Sequence, residues 1–173
     1  MKKVVVIFGL SGSGKSFLAS ILHEKCGYEW IRSDVIRKEL AGIEPSKSAK
    51  ADYGRGIYTK EMTKRVYEEM VKRAKEFLSR GKKVVLDATF IKRWQRELVL
   101  KNFKEAFFIL AFAQEEVIKK RLEKRRDVSD ADWRIYLRQK EEFEKPEEID
   151  YCVINTDEGK EELERKIRTL LGC

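Results

Sequence analysis

Five short apolar runs punctuate the chain, at Val4–Phe8, Tyr28–Arg32, Lys83–Asp87, Ala106–Phe112 and Tyr151–Asn155. Their length and their β-branched and aromatic content predict strands. Between them the apolar positions recur with a helical period. Such patterns cover Ser16–Cys26, Asp34–Leu40, Thr59–Arg80, Lys92–Asn102, Glu115–Arg126, Ser129–Phe143 and Glu161–Leu171. In the long third pattern Val66, Met70, Ala74, Phe77 and Leu78 form one stripe, and Gly81 supplies a stop. Asp127-Val128 breaks the fifth pattern from the sixth, and Ser129 with Asp132 has capping-box spacing. Strands alternating with helices predict a parallel sheet covered on both faces. Val84-Val85-Leu86 and Phe107-Phe108-Ile109-Leu110 suit it, because parallel strands are buried on both sides.

The junction after the first strand carries the clearest chemistry. Gly9-Leu10-Ser11-Gly12-Ser13-Gly14-Lys15-Ser16 fits G-x-x-x-x-G-K-[ST] between a strand and a helix start, where that motif forms a phosphate cradle. Successive backbone N–H groups, from Gly9 through Ser11, Gly12, Ser13 and Gly14 to Phe17, would face the phosphates at a helix N-terminus. Lys15 would reach the β- and γ-phosphates, and the Ser16 hydroxyl would ligate Mg²⁺.

Ligands of such sheets sit beyond the carboxyl ends of the strands, and further candidates occur there. Asp34 follows the second strand. It is placed to take a proton from an acceptor hydroxyl, and equally it, or Ser33, would serve as a helix cap. Arg37, one turn on, suits an acceptor phosphate or carboxylate. Asp87 ends an apolar strand, as does the acid that holds Mg²⁺ in phosphoryl-transfer enzymes. Thr89 follows it, and Arg93 and Arg96 are candidates to face the acceptor. Lys119, Lys120, Arg121, Lys124, Arg125 and Arg126 form a basic cluster from which one or two arginines would close over the donor phosphates. His23, the single histidine, is expected to be structural.

Composition adds limits. The 173 residues fit one domain, with no repeat or low-complexity tract. No stretch approaches about 18 uninterrupted apolar residues, and a strand begins within a few residues of Met1 without a signal-peptide pattern, so neither a membrane span nor export is expected. Cys26, Cys152 and Cys173 are odd in number and far apart, with neither zinc nor redox spacing, which predicts free thiols in a reducing cytoplasm. The net charge of +8 admits a polyanionic partner. Charged residues are 39% of the chain, however, and most basic ones alternate with Glu on helices; with few amides this looks like a thermophile's surface.

Taken together, the chain resembles the P-loop kinases related to phage polynucleotide kinase, gluconate kinase and zeta toxins, a group of AAA-like kinases. The resemblance spans nearly the whole chain. It rests on Gly9–Ser16, Arg32-Ser33-Asp34-Val35-Ile36-Arg37, Leu86-Asp87-Ala88-Thr89-Phe90 and Lys120-Arg121-Leu122-Glu123-Lys124-Arg125. It implies a three-layer α/β P-loop NTPase fold with a five-stranded parallel sheet and a helical lid at about 115–143. It also implies ATP bound by Lys15 and Ser16 with Mg²⁺, Asp34 as general base, Arg37 on an acceptor phosphate, and Arg125 as the lid arginine with Arg121 beside it. The implied reaction is transfer of the γ-phosphate to a hydroxyl; Arg37 and the positive charge slightly favour a nucleic-acid 5′ end over a small polyol as acceptor. Phe17 departs from the Thr or Ser common at its position, which removes one hydroxyl contact to the α-phosphate. The irregular Ala41–Tyr58 stretch, within a substrate-side segment of about 34–60, is either the acceptor-selecting element or a plain surface loop. A nucleotide switch without transfer is the competing class, and Asn155-Thr156-Asp157 lacks the lysine and spacing of a guanine reader.

Overall fold

The computed structural model describes residues 1–42, 59–124 and 130–173. Five strands, β1 (Val4–Phe8), β2 (Tyr28–Arg32), β3 (Lys83–Asp87), β4 (Phe107–Phe112) and β5 (Tyr151–Asn155), form one sheet in the order β2-β3-β1-β4-β5. All neighbours pair in parallel. The described helices are α1 (Lys15–Cys26), α2 (Ser33–Leu40), α3 (Lys60–Ser79), α4 (Arg93–Asn102), α5 (Glu115–Lys124), α6 (Asp130–Glu142) and α7 (Lys160–Leu171).

Alternation within β1 explains the layers. Val4, Val6 and Phe8 join a core with Val66, Tyr67, Met70 and Ala74 of α3 and Val99 of α4. Val5 and Ile7 face the other way, into a core with Leu18, Ile21 and Leu22 of α1 and Leu163 and Ile167 of α7. A third, smaller cluster joins Ile118 and Leu122 of α5 to Tyr136 of α6. The strand order reverses on either side of β1, so the crevice such a reversal creates opens beyond Phe8, where the glycine loop begins.

One expectation changes here. Cys26 and Cys173 are joined by a disulfide, with Cα atoms 5.5 Å apart, and Cys152 alone is free. Sequence spacing could not show this: α1 and α7 lie side by side on one face, so their ends meet across 147 residues. The pairing corrects the expectation of free thiols. Ser129, Arg125, Arg126 and residues 43–58 lie outside the described residues, and with them the capping box, the first choice of lid arginine and most of the irregular stretch. Among the described residues no helix is long and apolar enough to cross a membrane.

Candidate functional site

The loop between β1 and α1 folds tightly because its glycines admit close neighbours. Gly9 has φ 142°, and a Cβ there would stand 2.5 Å from the Ala111 carbonyl oxygen. Gly14 has φ 94°, and its Cβ would meet the Thr156 side chain at 2.9 Å. The loop is braced from outside. The Ser11 N–H donates to Gln139 Oε1 at 2.9 Å, so α6 reaches the loop. Thr156, 1% exposed at the end of β5, donates to the Ser13 carbonyl at 2.6 Å. Arg121 donates to Gly12 O and to Thr156 Oγ1, each at 3.0 Å. Burial pulls the Arg121 guanidinium below its usual range, against the attraction of Asp157. The second arginine of the sequence reading therefore does reach the loop, and it does so as a brace behind Gly12. Lys15 Nζ donates to Leu10 O at 3.1 Å.

Beside the loop lies a cavity of about 450 Å³ lined by Gly14, Phe17, Arg121, Thr156, Lys160 and Leu163, among others. Phe17 thus presents an apolar wall to this cavity. Lys160 lies over the Phe17 ring at 6.0 Å.

Ser16 and Asp87 come together as expected: Ser16 Oγ donates to Asp87 Oδ2 at 2.9 Å. The same oxygen accepts from Trp30 Nε1 at 3.0 Å. Burial raises the Asp87 pKa above the ordinary carboxylate value, opposed by Lys15 and by the two hydrogen bonds. Hydroxyl and carboxylate oxygens are the hard donors that Mg²⁺ takes, and Mg²⁺ sites commonly use one or two carboxylates together with substrate phosphates. Among the described residues no cluster of three His, Cys, Asp or Glu offers a metal cage. The donor set therefore fits a cation completed by a phosphorylated ligand.

On the far side of Asp87, Asp34 is exposed in the first turn of α2. The helix is capped at Arg32 without a side-chain hydrogen bond, so neither Ser33 nor Asp34 serves as its cap. The charge of Asp34 is felt at Asp87, and at the buried Tyr67 hydroxyl. Tyr67 is hydrogen-bonded to the Thr89 side chain, accepts from Phe90 N at 3.1 Å, and feels Arg37. Asp34, Arg37, Thr89 and Asp87 thus share one neighbourhood, with Tyr67 at its floor. Arg37 is 8% exposed and donates to Thr63 Oγ1 at 3.0 Å.

Arg96 is a correction. It was expected to face the acceptor, yet it is completely buried. Its guanidinium donates to Phe90 O at 2.7 Å, to Glu144 O at 2.8 Å and to Glu148 Oε1 at 2.6 Å. Phe90 has φ 45°, the single positive value at a non-glycine among the described residues. A turn in that region is strained and persists when its surroundings hold it. Tyr67 holds the Phe90 N–H and Arg96 its carbonyl. Arg93 is exposed and turned along α4 to Glu97. His23 is structural as expected, with Nδ1 2.7 Å from Tyr28 O. Trp30, Tyr67 and Gln139 were not among the sequence candidates, and Thr156 entered only within Asn155-Thr156-Asp157; its place at a strand's carboxyl end was the usable signal.

Comparison with known proteins bears on the fold. No curated protein matches the chain. A gluconokinase from Sinorhizobium meliloti 1021 superposes with a TM-score of 0.71 at 21% identity, covering 99% of this chain and 94% of its own. A sugar kinase from Janibacter sp. HTCC2649 gives 0.72 at 20% identity, covering 99% and 95%. An APS kinase from Mycobacterium tuberculosis, solved with AMPPNP and APS, gives 0.68 at 18% identity, covering 99% and 98%. At these identities the likeness establishes the three-layer α/β fold of P-loop kinases. The family model described as AAA domain matches residues 4–146, from the start of β1 to just past α6, and the chain belongs to that family.

Proposed function

We propose that this protein is an ATP- and Mg²⁺-dependent kinase that transfers the γ-phosphate to a hydroxyl of a small acceptor. The observation that carries the reading is the shared space of Ser16, Asp87 and Asp34: a hydroxyl–carboxylate pair beside the glycine loop, with a second, exposed carboxylate within electrostatic reach. A nucleotide switch needs the first pair and has no use for the second.

In this reading the loop N–H groups and Lys15 bind the phosphates of ATP, and the cavity beside Phe17 and Leu163 takes its base. Ser16 and Asp87 would hold Mg²⁺, which neutralises charge on the β- and γ-oxygens when bound. Asp34 accepts the proton of the acceptor hydroxyl as that oxygen attacks the γ-phosphorus and ADP departs. Thr89 lines the acceptor side. Helices α5 and α6, already linked to the loop through Arg121 and Gln139, exclude water as a lid, with Arg125 as the expected arginine on the donor phosphates.

A small acceptor is supported by the gluconokinase, sugar kinase and APS kinase likeness. It is also supported by Arg37, which at 8% exposure and with a hydrogen bond to Thr63 Oγ1 has little surface to offer a polymer's phosphate. The net charge of +8 keeps a nucleic-acid 5′-hydroxyl as the second reading. Labelled ATP offered with sugars, polyols, nucleosides and 5′-hydroxyl oligonucleotides tests both. Label in a sugar or polyol is expected. Label in the oligonucleotide alone refutes the small acceptor, and ATP binding without label in any acceptor favours a switch.

A further inference from the structure

A carboxylate as enclosed as Asp87, 5% exposed, is costly unless hydrogen-bond donors hold it. Beside the Lys15 charge, two neutral donors among the described residues address one oxygen, Oδ2: the Ser16 hydroxyl at 2.9 Å and the Trp30 indole at 3.0 Å. These donors differ in kind. A hydroxyl rotates and has lone pairs, so Ser16 can turn to a cation. An indole N–H is a donor only and cannot ligate a metal.

The indole is itself held. Trp30 and Arg32 are two apart on β2 and so project to the same face, and Arg32 lies beside Asp87 in the sheet register. The Arg32 guanidinium stacks over the Trp30 ring at 4.4 Å, and the His23 ring stands 6.1 Å away. His23 is fixed in turn through Tyr28 O. A long planar side chain on the edge strand thereby spans the gap to the end of β3.

We propose that Trp30 is a positioning residue for cation binding: its N–H keeps Asp87 Oδ2 in one place, so that the carboxylate addresses a divalent cation in a single orientation. This rests on the kinase reading of the site. When Ser16 turns to the cation, the Trp30 N–H still donates to Asp87 Oδ2. Outer partners of this type typically change metal affinity by about 10–100-fold when removed.

Trp30→Phe keeps an aromatic ring and removes the N–H. Binding of ATP is measured by calorimetry in EDTA, and binding of Mn²⁺ to the ATP-loaded protein by electron paramagnetic resonance. Trp30→Phe is expected to bind ATP in EDTA as the unaltered protein does and to bind Mn²⁺ about 10-fold or more weaker. Unchanged Mn²⁺ affinity overturns the proposal. So does a loss of ATP binding in EDTA equal to the loss in Mn²⁺, which marks Trp30 as packing only. A second arm does not depend on the folding of that variant. In Trp94→Phe/Trp133→Phe, Trp30 is the remaining one of the three tryptophans. Adding Mg²⁺ to its ATP-loaded form is expected to shift the indole emission, and an unchanged spectrum overturns the proposal. If the unaltered protein binds no ATP, the kinase reading falls and the proposal with it; if it binds ATP and only the cation comparisons fail, the proposal falls alone.

Discussion

Replacing Arg96 by Met should destabilise the protein more than any surface change while leaving the glycine loop chemically intact. The side chain is fully buried and ends in three hydrogen bonds, two to carbonyls and one to a carboxylate that is itself nearly enclosed. Met fills much of the volume but leaves Glu148 charged without its partner. Breaking a buried pair in this way costs about 3–5 kcal/mol. For a chain of this size each kcal/mol moves Tm by about 2–4 °C, so a fall of about 6–20 °C is expected in a thermal melt. Burial works against ionisation of Glu148, yet its hydrogen bond to Arg96 holds the pKa below the ordinary 4.5. A carboxyl with a depressed folded pKa stabilises above its unfolded value, and the contribution is lost as pH falls through the folded value. The gap between the unaltered protein and Arg96→Met should therefore be full at neutral pH and narrow below about pH 4.5. A double variant with Glu148→Met should recover part of the loss, since no charge is then stranded. A single-variant cost below about 1 kcal/mol, or a gap that does not change with pH, would refute the assignment of a buried, working ion pair.

Other consequences are as direct. Asp34→Asn should lower transfer by about 10²–10⁴-fold with ATP affinity unchanged, read by steady-state kinetics and calorimetry; equal rates would remove Asp34 as base. Gly14→Ala should abolish tight ATP binding, because its Cβ meets Thr156 at 2.9 Å in a backbone region that L residues rarely adopt. Retained affinity in a nucleotide titration would contradict the loop geometry. Reducing the Cys26–Cys173 bond should cost about 2–5 kcal/mol of stability, visible as a lower denaturant midpoint with dithiothreitol, whereas Cys152→Ser should leave the midpoint in place. Hydrogen exchange in α5 and α6 should slow when a non-hydrolysable ATP analogue binds, and identical protection with and without it would argue against a lid.

What could be read from the sequence was what local pattern encodes. Four of the five strands have the predicted bounds, and the fifth starts one residue later, at Phe107. Apolar runs of that length admit few alternatives once helices alternate with them. The glycine motif and Asp87 were legible for a similar reason, as each sits at a strand's end. The partners that finish the site were not. Trp30 and Asp87 are 57 residues apart, Ser11 and Gln139 are 128 apart, and Thr156 meets Ser13 across 143. No periodicity registers such pairs. Arg96 misled because an arginine on a helix beginning near the site looks like a ligand contact until the 144–148 segment folds over it. The two bonded cysteines misled in the same manner, being neighbours only after α1 and α7 pack together.

That bond also divides the covalent molecule in an unexpected place. Residues 26 to 173 become a closed ring, and residues 1–25 are a tail attached to it. The tail contains β1, which is the middle strand of the sheet, and the whole phosphate loop. In the oxidised protein, a single backbone cut anywhere between the two cysteines leaves both pieces in one molecule. A single cut between Phe8 and Cys26, by contrast, detaches the central strand and, when it falls beyond Ser16, the nucleotide-binding loop as well. The ring secures the other four strands, while after such a cut the segment that would carry the phosphates is retained by packing and hydrogen bonds alone.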